Sequence, residues 1–221
     1  MDIRALLFDL DGTVINSDPI HIKVFADLLA PHGHIVDEAF YAKNILGRTN
    51  ANIFGDLAPD APDPAALADI KEAEFRRRLP RPYPSMPGLG DVMTLARRKG
   101  WKTAAVTNAP RANAKAMLDA IEMHDLFDTL IIGEECVRGK PHPDPYLEAM
   151  SRLGAAPEHC IAFEDSPPGI ASAVASGAFV IGIRSSLDEM PLRKAGAHET
   201  AKDFNDPGLA RILKKETGVH A

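Results

Sequence analysis

Residues 6–18, Leu-Leu-Phe-Asp-Leu-Asp-Gly-Thr-Val-Ile-Asn-Ser-Asp, decide how the rest of the chain is read. The apolar run from Ile3 to Phe8 predicts a strand buried on both faces, ending where Asp9 begins. Asp9 and Asp11 follow at its carboxyl end, and Gly12 permits a sharp turn. In an open α/β sheet, ligands bind outside the carboxyl ends of the strands. Carboxylates gathered there repel one another unless a cation or a proton lies between them. A lone Asp-x-Asp-Gly also fits a solvated turn, so its meaning depends on what the other strands deliver to the same edge.

Outward from this stretch, Ile22, Phe25, Ala26 and Leu29 recur at helical spacing. From there to about Tyr83 the chain reads as helical, most clearly over Phe40–Leu46 and Ala65–Leu79. Pro59, Pro62 and Pro64 break the middle, and Pro80, Pro82, Pro84 and Pro87 mark a stiff exit. Residues 17–85 are therefore expected to form a helical cap domain inserted after the first strand. Residues 1–16 and 86–221 are expected to form the core domain.

After Gly88, helices and strands alternate. Leu89, Val92, Met93 and Ala96 make one helix face, ended by Gly100, and Thr103–Val106 a strand. Ala114, Met117, Leu118 and Ile121 line the next helix, followed by the short strand Leu130–Ile132. Tyr146, Leu147, Met150 and Leu153 are read as the inward face of a helix that Gly154 stops. Ile161–Phe163 is a strand running into Glu164-Asp165. Ile170, Ala173 and Val174 line a helix closed by Gly177, and Phe179–Ile183 is the last clear strand. The expected fold class is α/β, a Rossmann-like parallel sheet with helices on both faces.

Composition narrows the function classes. The chain has 221 residues, 45% hydrophobic and 25% charged, as in ordinary globular proteins. A formal charge of −6 argues against a nucleic-acid surface, though not against a local pocket for an anion. Cys136 and Cys160 stand outside any paired motif, so neither a disulfide framework nor a zinc site is implied. The sequence reads without a signal-peptide pattern or a membrane span, so a cytoplasmic protein is expected, with no membrane partner. A monomer would leave the cap unobstructed.

The polar residues that follow each strand carry the chemistry. Asp9 and Asp11 end the first, Thr107 and Asn108 the second, and Glu164 and Asp165 the Ile161–Phe163 strand. Gly139-Lys140-Pro141 lies between the last two, ahead of a helix. In a parallel sheet these ends converge, so carboxylates, a hydroxyl and an ammonium share one pocket. Hard oxygen ligands of that kind suit Mg²⁺ beside a phosphate, and a phosphoryl group needs its oxygens neutralised and held.

These residues resemble the motifs of the haloacid dehalogenase (HAD) superfamily. The matching elements are Asp9-Leu10-Asp11-Gly12-Thr13, Val106-Thr107-Asn108, Gly139-Lys140-Pro141 with Pro143-Asp144, and Phe163-Glu164-Asp165-Ser166. The cap position is similar to that of the β-phosphoglucomutase and phosphoglycolate-phosphatase branch. The resemblance implies that Asp9 is the nucleophile, forming an aspartyl-phosphate. It implies that Asp11 is the general acid for the leaving alcohol and then the base for water, with its pKa raised relative to Asp9 by neighbouring carboxylates. It implies Mg²⁺ held by the Asp9 side chain, the Asp11 backbone carbonyl and Asp165, with Glu164 direct or through water. Thr107 and the amides of Asn108 and Ala109 would hold phosphoryl oxygens, and Lys140 would offset charge on Asp9 and the phosphate. Asp144 is expected to cap the helix at Pro145.

The implied activity is hydrolysis of a small phosphorylated metabolite, of sugar phosphate or phosphoglycolate type. The superfamily's dehalogenases need neither a metal nor an acid two residues on, so Asp11 and Glu164-Asp165 speak against that chemistry. A β-phosphoglucomutase is the alternative, because His21 stands where mutases carry a cap-hinge histidine; equally, His21 reads as an exposed residue of the first cap helix. Ala109-Pro110 replaces the mutases' Ser-Lys, and Asn50 stands at their cap arginine, which favours hydrolysis. A non-catalytic member binding a phospholigand would be marked by loss of Asp9 or Asp11, and both are present.

Arg48, in Leu46-Gly47-Arg48-Thr49-Asn50, is either a clamp for the substrate's polar end or an ordinary exposed arginine; Arg111 is a weaker candidate of the same kind. Arg76-Arg77-Arg78 reads as a solvated helix end, and His32 and His34 lack a third ligand for a second metal. Asn16–Asp18 and Pro84–Gly88 are the expected hinges.

Overall fold

The structure, a computed structural model, describes residues 2–123 and 125–215; the terminal residues 216–221 assigned to the core lie outside it. Its strands are β1 (Ala5–Phe8), β2 (Lys102–Thr107), β3 (Thr129–Ile132), β4 (Cys160–Glu164), β5 (Phe179–Ile183) and β6 (Glu199–Ala201). They form one sheet in the order β3-β2-β1-β4-β5-β6, every neighbouring pair parallel. This is the α/β, Rossmann-like sheet expected from the sequence. β6 was not legible there, since Glu199 and Thr200 give it no apolar run.

The helices are α1 (Asp18–Leu29), α2 (Glu38–Asn44), α3 (Asn50–Leu57), α4 (Pro64–Arg78), α5 (Leu89–Lys99), α6 (Arg111–Ala120), α7 (Asp144–Leu153), α8 (Pro167–Ala175), α9 (Glu189–Lys194) and α10 (Pro207–Lys215). Alternation along β1 shows how both faces of the sheet are covered. Leu6 and Phe8 pack into a cluster with Leu89 and Val92 of α5, Met117 of α6 and Leu209 of α10. Ala5 and Leu7 face the opposite cluster, with Tyr146 and Met150 of α7, Ile170 of α8 and Leu192 of α9. Leu147, expected on the inward face of α7, is 43% exposed. The rest of the expected face holds: Tyr146 and Met150 are buried, Leu153 packs against the same cluster, and Ala149 completes the stripe.

Between β1 and α5, helices α1 to α4 build a cluster of their own from Phe25, Leu29, Tyr41, Ile45, Ile53 and Phe54. Each start has a local cause. Asp37 caps α2 by accepting from the Phe40 amide (2.7 Å), and Asp63 caps α4 from the Ala66 amide (3.0 Å), with Pro64 in the first turn. Thr49 caps α3, a helix of 8 residues too short to stand out in the sequence pattern. Ile20, Phe75 and Leu79 join the main core instead, so the apolar contact is continuous from the sheet to helices α1 and α4. No helix among the described residues is long and apolar enough to cross a membrane.

Phe8 and Phe163, neighbours on β1 and β4, stack at 4.8 Å, and Phe204 packs edge-on against Phe163 at 5.3 Å. Phe163→Ala removes a fully buried ring and is expected to lower stability by about 3–5 kcal/mol. Urea unfolding would show it as a lower midpoint at unchanged slope; a loss below about 1 kcal/mol would mean that the aromatic cluster does not hold these strands.

Candidate active site

The sheet order reverses beside β1, and the carboxyl edge at that point is where α/β sheets leave a crevice. Asp9 extends β1, its amide donating to the Phe163 carbonyl (3.0 Å). Gly12 then turns the chain at φ +73°, and a Cβ there would collide with the Asp165 carboxylate. β4 delivers Glu164 and Asp165, β2 delivers Thr107, and the turn after β3 delivers Lys140.

Lys140 Nζ lies 2.5 Å from Asp9 Oδ1, 2.6 Å from Glu164 Oε1 and 2.7 Å from the Val106 carbonyl. Burial works against its ammonium, but Asp9 and Glu164 outweigh that and hold it protonated. Burial pushes the Asp9 carboxyl well above the ordinary range; Lys140 pulls it back, and Glu164 and Asp11 push it further up. Burial and the charges of Asp9 and Glu164 do the same to Asp165, whose hydrogen-bond partner is the Ser185 hydroxyl (3.3 Å). One ammonium does not neutralise this group. Asp9, Glu164 and Asp165 offer oxygens within 4.8 Å of one another, a buried set that suits a hard cation.

Glu164 is the most committed of the three. Its Oε1 accepts from Lys140 and from the Tyr146 hydroxyl (3.1 Å), while Oε2 accepts from the Asp165 and Ser166 amides (3.1 and 3.3 Å) and from Ser166 Oγ (3.1 Å). Asp9 and Asp165 line the open cavity; Glu164 is fully buried.

Asp11 departs from expectation. Its Oδ1 accepts from Ser17 Oγ (2.6 Å) and His21 Nε2 (3.0 Å), turned toward the first turns of α1. Burial would raise it, but His21, Ser17 and Lys71 outweigh burial and lower it. Asp9 is therefore raised and Asp11 lowered, the reverse of the predicted order, because Asp11 faces donors and Asp9 faces carboxylates. His21 is not exposed: it is buried, stacked on Phe75 at 4.1 Å.

The other expected residues divide. Thr107 is buried, its Oγ1 accepting from the Ala109 amide (2.9 Å). The Asn108 side chain is spent on the Lys140 backbone, Oδ1 accepting from its amide (3.0 Å) and Nδ2 donating to its carbonyl (3.1 Å). The Arg48 guanidinium lines the cavity but is bonded to its own helices, to Asp56 and to the carbonyls of Asn44 (2.9 Å) and Asn52 (3.0 Å). Arg111 pairs with Glu135 (2.5 Å). Asp144 does not cap α7; it receives Arg138 at 2.9 and 3.1 Å. Arg76 is no solvated end, since it donates to Asn113 Oδ1 (2.6 Å) on α6. His32 and His34 bond to Asp60 (3.0 Å) and to the Leu57 carbonyl (2.8 Å) and gather no ligand set among the described residues.

A cavity of about 620 Å³ opens between this edge and helices α1 to α4. Sequence reading had not singled out Lys71, Glu72 and Asn113 on its wall, and it named Asp18 only as the end of a hinge; Asp18 accepts from Tyr41 (2.9 Å) and Ser186. Their signal is tertiary, joining residues far apart in the chain.

The profile of the haloacid dehalogenase-like hydrolases matches residues 3–177. The chain belongs to that family. Among HAD relatives, it is 30% identical over 193 residues to protein CbbY of Rhodobacter capsulatus, covering 82% of this chain and 85% of that one. It is 31% identical to fructose-1-phosphate phosphatase YqaB of Escherichia coli, covering 81% and 96%. The crystal structure of a CbbY mutant from Rhodobacter sphaeroides in complex with xylulose 1,5-bisphosphate superposes with a TM-score of 0.77 at 25% identity, covering 91% and 95%. The family, its phosphatase and phosphoglucomutase branch and its hydrolase class thus agree with the motifs at the strand ends.

Lys140→Met would leave Asp9 and Glu164 buried without their ammonium. Measured in chelator, the expected destabilisation is about 3–5 kcal/mol. A change within about 0.5 kcal/mol would mean that the ammonium does not hold the cluster together.

Proposed function

We propose that this protein is a cytoplasmic, monomeric, Mg²⁺-dependent phosphatase of a small phosphorylated metabolite, of the sugar phosphate or phosphoglycolate kind. The observation that carries the reading is a buried carboxylate, Asp9, on an ammonium at 2.5 Å and beside two further acids, at the floor of a cavity roofed by helices. The fructose-1-phosphate phosphatase among the relatives supports the substrate class, and two free thiols suit a reducing compartment.

In this reading an Asp9 oxygen attacks phosphorus in line as the bond to the leaving alcohol breaks, giving an aspartyl-phosphate. Asp11 protonates the departing oxygen, then takes a proton from the water that releases phosphate. Burial alone pushes Asp11 up, and Ser17, His21 and Lys71 hold it down. A swing of its carboxyl away from α1 sheds those donors and makes it a proton donor. Lys140 and the Thr107 hydroxyl steady the phosphoryl oxygens, with the amides of Asn108 and Ala109. Asp9, Asp165 and the Asp11 carbonyl would hold Mg²⁺, which supplies charge neutralisation; Glu164 acts from behind by orienting Lys140.

Residues 17–85 serve as a cap over a core of residues 1–16 and 86–221. The two linkers are laced together, Tyr83 OH donating to the Asn16 carbonyl (3.0 Å) and the Met86 amide to the Val14 carbonyl (2.8 Å). That supports hinges at Asn16–Asp18 and Pro84–Gly88. One observation favours the phosphoglucomutase alternative: His21 bonds to Asp11 as a gating histidine would.

Phosphate release from a panel of small esters, with Mg²⁺ and with chelator, tests both readings. Mg²⁺-dependent release that Asp9→Asn lowers by at least about 10³-fold is expected. Conversion of β-glucose 1-phosphate to glucose 6-phosphate with little free phosphate would establish the mutase instead. Release that survives Asp9→Asn would remove Asp9 as nucleophile.

A further inference from the structure

At the cap end of the cavity, Glu72 of α4 is fixed by contacts that the chemistry at Asp9 does not require. Its Oε1 accepts from Asn50 Nδ2 (2.5 Å) and Lys71 Nζ (2.9 Å), and its Oε2 from Asn113 Nδ2. Arg76 donates to Asn113 Oδ1 (2.6 Å), which fixes that amide with its nitrogen toward Glu72. The carboxylate is thus held in place from α3, α4 and the core helix α6.

We propose that Glu72 selects phosphomonoesters with an uncharged, hydroxyl-bearing leaving group and rejects substrates that carry a second phosphate or carboxylate, which narrows the substrate class to sugar phosphates and excludes phosphoglycolate. This rests on the phosphatase reading of the same cavity. A second anion would find no cation to itself at the cap end, because the permanent cations on the wall are all matched. Lys71 is paired with Glu72, Arg48 with Asp56, and Lys140 with Asp9 and Glu164. Of the histidines on the wall, His21 is engaged by Asp11, and His142 belongs to the turn that carries Lys140. Glu134, exposed at the rim, adds negative charge. A second phosphate would face Glu72 with Lys71 already neutralised, a like-charge contact that disfavours binding.

A hydroxyl meets the opposite situation. A carboxylate has about four acceptor positions, and Asn50, Lys71 and Asn113 occupy three of those on Glu72. The remaining position accepts a hydroxyl.

The test compares kcat/KM for fructose 1-phosphate and fructose 1,6-bisphosphate, with p-nitrophenyl phosphate as reference, in wild type and Glu72→Gln. The wild type is expected to favour the monophosphate at least about tenfold, and Glu72→Gln to shrink that ratio at least about tenfold by freeing Lys71. Lys71→Met, which leaves Glu72 uncompensated, should widen it. Unfolding midpoints report the integrity of each variant. Equal or better turnover of the bisphosphate by wild type, an unchanged ratio in folded Glu72→Gln, or a narrower ratio in Lys71→Met would overturn the proposal. No release from any ester would sink the phosphatase reading instead. Calorimetric binding of the two sugar phosphates to wild type and Glu72→Gln would then decide the selectivity by the same ratios.

Discussion

The structure depends on one ammonium placed among buried carboxylates. Lys140 joins the ends of β1, β2 and β4 through Asp9, the Val106 carbonyl and Glu164, and it lies 5.2 Å from the Tyr146 ring of α7. Stripping water from such charges is offset only when the geometry is good and the remaining donors are satisfied. The surroundings supply that geometry. Asn108 grips the amide and the carbonyl of Lys140, fixing the backbone from which the side chain reaches inward. Gly133 follows from the same constraint, because a Cβ there would collide with Asn108 Oδ1. The five donors on Glu164 keep one partner of the ammonium rigid, and of the three clustered acids Asp9 and Asp165 remain open to the cavity.

The two ends of the cavity are electrostatically unlike. The core end holds more buried acid than its ammonium can balance, a surplus that raises Asp9 and Asp165 and favours any cation brought between them. At the cap end each cation has its own carboxylate, and the amides of Asn50 and Asn113 fill the wall between. Charge chemistry is confined to one end, and the other is built for hydrogen bonding.

Much of the core end was legible in the sequence because each acting residue follows an apolar run. A strand buried on both faces is conspicuous, and the position after it is fixed by the sheet, so Asp9, Thr107, Glu164 and Asp165 could be placed together. What escaped was orientation. Nothing local tells Asp11 to face Ser17 and His21, Arg48 to turn back on its own cap, or Asn108 to hold a backbone 32 residues away. On α7 the face was legible but its edge was not, because Tyr146 and Leu147 are both apolar and only packing turns Tyr146 inward and leaves Leu147 exposed. β6 stayed hidden because an edge strand with polar residues carries no periodic signal. The Glu72–Asn113 contact joins a cap helix to a core helix across 41 residues, beyond the reach of spacing arguments.

The placement of Ser17 and His21 has a mechanical consequence. Both sit at the start of α1, where the chain leaves β1 for the cap helices, and both donate to Asp11. The next residue, Asp18, is held from both sides, by Tyr41 of α2 and by Ser186 in the loop after β5. Ser185, beside it, donates to Asp165. A shift of α1 relative to the sheet therefore changes the donors on Asp11 and strains the link through Asp18 toward the acidic cluster. Because burial pushes Asp11 up and those donors pull it down, the position of the first cap helix and the proton affinity of Asp11 are set by the same contacts.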